Sequence, residues 1–196
     1  MKDATFDEYW EVQHSSRQWG KYPNEFLVKF LLSRYRDATT RKDVRVLEIG
    51  CGAGANMWFV ANEGFDTYGF DASPSAVTNS NNFLKSKNLK ANIIEGDATK
   101  LDQIFEGIEF DVIFDVCTLC HIAPSHSAKS YKQIASRLKV GGHFFSIGFA
   151  EGTTGYGSGE MIDFNTFSKP AEGPLKDIGV VHFFSSGELL SLNYGL

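Results

Sequence analysis

The sequence predicts an α/β protein built on a parallel sheet, doubly wound, with helices on both faces. Three observations carry that expectation. From residue 44 onward, short runs rich in β-branched and aromatic residues alternate five times with helix-like stretches. A glycine-rich turn, Gly50-Cys51-Gly52-Ala53-Gly54, follows the first run, and acids stand at or near the ends of three later ones, Asp71, Asp97 and Asp115. The chain's 196 residues, 42% of them apolar, suit one domain, and a core of that size buries about 70% of the unfolded surface.

The elements follow in order. Residues 6–19 and 24–37 read as helices that form an N-terminal cap over 1–43. In the second, Phe26, Leu27, Phe30, Leu31 and Tyr35 recur at helical spacing while Lys29, Arg34 and Arg36 face elsewhere. Tyr22-Pro23-Asn24 breaks the two apart, with Asn24 as N-cap, and the polar stretch 38–43 links the cap to the core. Residues 44–49 form the first strand, and the glycine turn leads into a helix over 54–63. Residues 65–70 form the second strand, ending at Asp71; Ser73 then caps a helix over 74–87, with Pro74 in its first turn. Residues 91–95 are the third strand, ending at Gly96-Asp97, with a short helix over 99–105. Residues 110–116 are apolar nearly throughout, as a strand buried on both faces requires. A helix over 127–138 stops at Gly141-Gly142, and 143–149 is the fifth strand. The stretch 150–182 differs: glycines at 152, 155, 157, 159, 173 and 179, two prolines and little periodicity predict a lid loop. It leaves the carboxyl edge of the sheet, where α/β folds bind ligands.

Composition narrows the function classes. Nineteen basic against 24 acidic side chains leave a net charge of −5, which disfavours nucleic acid and anionic membranes as partners. The 17 Phe, 7 Tyr and 3 Trp exclude a disordered chain. The polar, acidic start lacks a signal-peptide core, no run is long and apolar enough to span a bilayer, and three cysteines do not make a disulfide framework. A cytoplasmic protein is expected.

Taken literally, Gly50, Gly52 and Ala55 satisfy the G-x-G-x-x-G/A dinucleotide fingerprint. A different pattern surrounds them. Glu48 precedes the turn to make E-x-G-x-G-x-G, and Gly69-Phe70-Asp71-Ala72-Ser73, Glu95-Gly96-Asp97-Ala98, Phe110–Asp115 and Leu138-Lys139-Val140-Gly141-Gly142 follow in order. Together these motifs, spread over 44–149, resemble the class I S-adenosylmethionine-dependent methyltransferases. The resemblance implies a Rossmann-like sheet of order 3-2-1-4-5, S-adenosylmethionine as cofactor, and methyl transfer to O, N or S of a small-molecule acceptor. A non-catalytic S-adenosyl binder and a nicotinamide oxidoreductase are the competing readings.

The resemblance also assigns roles. Asp71 would accept hydrogen bonds from the ribose hydroxyls, or else merely cap the next helix through a turn. Asp97 would accept from the adenine amino group, with Ala98 and Phe70 as apolar surface, or else close an Asx turn. Glu48 and the carbonyls near Gly50 would face the methionyl ammonium, or Glu48 would only orient the glycine loop. Cys51, Gly52, Gly54, Asn56, Ala72 and Ser73 complete the cofactor set, with Asp115 and Val116 at the same end of the sheet. The aromatic–basic cluster Tyr9-Trp10 and Arg17–Tyr22 is loosely similar to the thiopurine and tellurite-resistance branches, where an N-terminal segment covers the cofactor; this places Trp19 in the set, against simple packing of Trp10 and Trp19 onto the sheet.

Cys117-Thr118-Leu119-Cys120-His121 spells C-x-x-C-H, but without an export signal or a second pair of ligands it predicts neither haem nor metal. His121 instead reads as a base for the acceptor's proton, since an imidazole titrates near neutrality. The resembled family follows strand five with a helix and an antiparallel hairpin. Here 183–196 reads as the start of that helix and the hairpin is missing, so the expectation is either a truncated chain or a strand five covered by the lid or by the second subunit of a homodimer.

Overall fold

The computed structural model describes residues 5–17 and 20–193. Five parallel strands form the main sheet: β1 (Arg45–Ile49), β2 (Asp66–Asp71), β3 (Asn92–Glu95), β4 (Phe110–Val116) and β5 (Leu138–Ile147). Their order is β3-β2-β1-β4-β5, as expected. Strand alternation divides the core in two. Leu47, Ile49 and Ile113 point to one face with Leu101 and Ile134, while Val46, Val112 and Phe114 point to the other with Leu27, Leu31 and Val60. That second layer holds α2 (Glu25–Arg34) and α3 (Ala55–Asn62); α5 (Pro124–Arg137) lies on the first.

Local capping sets the helices that frame the carboxyl edge. Asp7 caps α1 (Glu8–Ser16) by accepting from the Tyr9 N–H. Asn24 caps α2 through the Phe26 and Leu27 N–H groups, and Ser73 caps α4 (Pro74–Ser86) through Ala76, as the sequence implies. Both stretches 38–43 and 98–103 wind as 3-10 helices.

The stretch expected as a lid loop is different. After β5 the chain turns at Gly148, where a Cβ would stand 2.7 Å from the Phe184 ring. It then builds a second sheet of order β6-β9-β8-β7 from Phe149–Ala150, Glu160–Asp163, Thr166–Ser168 and Val180–Phe184, with a 3-10 turn at Gly173–Leu175. The sequence hides these strands for physical reasons. β7 is exposed at Glu160, Met161 and Ile162 and shows no alternation, and the connecting glycines 152, 155, 157, 159 and 173 adopt positive φ. Among the described residues, the antiparallel pairs are β7–β8 and β8–β9, within this second sheet. The final helix starts later than expected, as α6 (Ser186–Asn193), because Phe184 closes β9.

Candidate functional site

The carboxyl ends of β1, β2 and β4 open into a cavity of about 580 Å³. Its first wall is the turn after β1. Gly50 and Gly52 line it with φ of +67° and +51°, a left-handed backbone that side chains resist. A Cβ on Gly50 would collide with the Thr118 side chain, so this glycine also admits the β4 loop. Cys51 and Ala72 line the same wall, and burial pushes the Cys51 thiol up.

Glu48 sits at the base of that wall, 2% exposed. Its Oε1 accepts from Asn56 Nδ2 at 2.8 Å, while Oε2 has no hydrogen-bond partner among the described residues. Burial raises its pKa well above the usual carboxylate range; the Asn56 bond opposes this and the charges of Asp71 and Asp115 add to it. Asn56 in turn accepts from the Asn24 N–H at 2.9 Å, tying the start of α2 to the wall.

Asp71 and Asp97 also line the cavity. The two oxygens of Asp71 accept from Gly52 and Ser73 N–H at 2.8 and 2.9 Å, which leaves each oxygen a free lone pair. The helix-cap role is therefore present, and it does not exhaust the carboxylate. Burial raises the Asp71 pKa against those two bonds. Asp97 accepts from Thr99 at Oδ1 and from the Thr5 hydroxyl at 2.6 Å at Oδ2; burial pushes its pKa up, but these bonds and Lys100 outweigh it, and the net shift is down. Ala98 stands beside it in the lining.

Three expected cofactor residues lie outside the cavity wall. Gly54, at φ +87°, is where α3 packs on α4: a Cβ there would overlap the Ser80 hydroxyl. Ser73 is fully buried and spends its hydroxyl on the α4 cap and on Glu11. Asp115 is 1% exposed and faces its own loop, accepting from Thr118 N–H, Leu119 N–H and Ser146 Oγ at 2.8–3.0 Å. Burial raises its pKa to about 6. These bonds hold the loop after β4. Trp19 lies outside the described residues.

The opposite wall comes from the β4 loop, the second sheet and α1. Val116 and His121 line it. His121 Nδ1 lies 2.7 Å from the Val180 carbonyl. A carbonyl only accepts, so Nδ1 carries the proton and Nε2 keeps a bare lone pair. Burial lowers the His121 pKa to about 4, against the opposing influence of that bond and of Asp7. Trp10 packs on its ring at 4.6 Å and Phe149 at 6.0 Å. Ile122, Leu175 and Ile178 make the rest of this wall apolar.

Several lining residues carried no assignment in the sequence. Thr5 gave no signal. His14 had one: it lies four residues after Trp10, on the same face of α1. It is 7% exposed, and its Nδ1 has no hydrogen-bond partner among the described residues. Glu11 fastens α1 to α4 by accepting from the Ser73 and Ser75 hydroxyls, and the His14 carbonyl accepts from Asn79 Nδ2 at 2.8 Å.

Comparisons with known proteins agree with this architecture. Residues 46–142 match a family model described as a methyltransferase domain. A ubiquinone biosynthesis O-methyltransferase of Rickettsia felis is 23% identical over 161 residues, covering 76% of this chain and 63% of that protein. The chain thus spans less than two thirds of that relative's length. Among solved structures, the CcbJ methyltransferase of Streptomyces caelestis superposes with a TM-score of 0.68 at 16% identity, covering 97% of this chain and 88% of that one. An S-adenosylmethionine-dependent methyltransferase of Clostridium acetobutylicum gives 0.64 at 15% identity, covering 95% and 83%. At such identities the structural likeness concerns the fold.

Proposed function

We propose, from this chain's membership of the class I S-adenosylmethionine-dependent methyltransferase superfamily, that it transfers a methyl group to an O, N or S atom of a small-molecule acceptor. When bound, S-adenosylmethionine supplies an electrophilic methyl on a positively charged sulfur. The observation that most supports this reading is the Glu48 carboxylate. A buried oxygen without a partner is costly, and an ammonium group at the cavity's base would satisfy Oε2 and neutralise the charge. Asp71 would hold the ribose diol with its two free lone pairs. Asp97 would take the adenine amino group, with Thr5 as the group that yields or shares its Oδ2.

The acceptor would meet the other wall. His121 Nε2, the nitrogen left to accept, would receive the proton that leaves the acceptor as its bond to carbon forms. Trp10, Phe149, Leu175 and Ile178 exclude water there. Asp7, Glu48, Asp71 and Asp97 line the cavity, and its described lining holds no Lys or Arg. That charge balance favours a neutral or cationic acceptor over an anionic one.

Calorimetry tests the reading. S-adenosylhomocysteine is expected to bind, and Glu48→Gln to weaken it about tenfold while sparing 5′-methylthioadenosine, which lacks the ammonium. Binding of NAD with no response to either S-adenosyl compound would overturn it. Labelled-methyl transfer to a metabolite pool separates an enzyme from a cofactor-binding protein.

A further inference from the structure

We infer that His14 is a cofactor-binding residue whose ring N–H completes, with Asp71, a clamp on the ribose diol of the S-adenosyl group. The inference rests on the reading of the cavity as an S-adenosyl site. Its structural basis is the space beneath α1. The His14 ring lies over the glycine turn, with Cε1 3.4 Å and Nε2 3.9 Å from the place a Cβ on Gly52 would occupy. The Gly52 N–H is bonded to Asp71 at 2.8 Å, so imidazole and carboxylate flank the same peptide. No hydrogen bond or ion pair joins the two side chains directly, although each feels the other's charge.

The chemistry of a diol fits that gap. A hydroxyl that donates to Asp71 keeps oxygen lone pairs that need a donor in a buried place. His14 supplies one. Burial holds its pKa below the usual imidazole value even beside Asp71 and Glu11, so the ring is neutral, with one N–H to give and one nitrogen to accept. Its place is enforced, because α1 is fastened to α4 through Glu11 and Asn79 at the turns carrying the histidine. On the proposed reading the methionyl end would lie elsewhere, against Glu48, whose Oε1 is held by Asn56.

Three ligands separate the roles: S-adenosylhomocysteine, 5′-methylthioadenosine and 2′,3′-dideoxy-5′-methylthioadenosine. His14→Phe keeps the aromatic body against Trp10 and removes both nitrogens. It is expected to weaken the first two ligands about tenfold and leave the third unchanged. His14→Gln, which retains a donor, is expected to recover part of the loss. The affinity ratio of the diol to the dideoxy ligand within each variant cancels any loss of folded protein. An unchanged ratio in His14→Phe would overturn the assignment, as would a loss confined to S-adenosylhomocysteine, which puts His14 on the amino-acid group. Failure of the unmodified chain to bind any of the three would overturn the cofactor reading, and the assignment with it.

Discussion

The two walls of the cavity are built on opposite principles. The wall made by β1 and β2 is polar and local. Within 25 residues of chain, Glu48 to Ala72, it sets two carboxylates around a turn whose Gly50 and Gly52 hold left-handed backbone. The wall made by the β4 loop, α1 and the second sheet is apolar and assembled from a distance. His121 takes its tautomer from Val180, 59 residues away, and Asp7 accepts from the Val180 N–H across 173 residues. On the proposed reading the contrast is a division of labour: the first wall, with His14 reaching over from α1, would set affinity for a charged, polar cofactor, and the rest of the second would set reactivity.

Variants on each side sharpen that division, and one that crossed it would break it. The largest effect belongs to the apolar wall. His121→Gln is expected to lower kcat by about 10² to 10⁴ while S-adenosylhomocysteine affinity moves less than twofold; a fall in affinity with kcat intact would reverse the two roles. With a His121 pKa of about 4, the neutral, proton-accepting ring is present above that pH. The rate should therefore rise with pH through about 4 and stay level from 6 to 8. Asp71→Ala comes next, weakening S-adenosylhomocysteine about 100-fold in calorimetry through two lost charge-assisted bonds.

Asp115 gives a stability effect. Its folded pKa of about 6 lies above the unfolded value near 3.8, so the folded state binds the proton more tightly. Its contribution is neutral below pH 3.8 and becomes a penalty as pH rises through 6, about 3 kcal/mol at pH 7. Asp115→Asn should thus gain stability relative to the unmodified chain between pH 4 and 7 in denaturant melts. A constant difference across that range would mean the carboxylate is not desolvated. The smallest effect is expected at Gly50→Ala, which strains a left-handed backbone and displaces Thr118, costing about 1–3 kcal/mol; pairing it with Thr118→Gly should return part of the loss.

The same contrast explains what could be read in advance. The order of the five strands, the glycine turn and the acids at its rim are encoded by neighbours, and their periodicity exposes them. Glu48, Asp71 and Asp97 accordingly line the cavity as the motifs imply. Asp115 carries the same sequence signature and turns inward instead, because the loop after β4 offers it two N–H groups and β5 offers Ser146, partners no motif records. The second sheet was illegible for a related reason: β7 buries no alternate side, and β6 is two residues long. His14 shows the reverse case. Its spacing from Trp10 was visible, but only the docking of α1 on α4 says what the shared face looks at.

The bond from Asp7 to Val180 has a bearing on when this molecule becomes complete. At roughly 5–20 residues per second, a ribosome needs on the order of 10–30 s between releasing those two positions. Late in that interval the strands that carry the glycine turn already have their neighbours, whereas α1 has no β9 to clasp and His121 has no carbonyl to orient it. The reaction compartment is therefore completed later in synthesis than the glycine turn beside it.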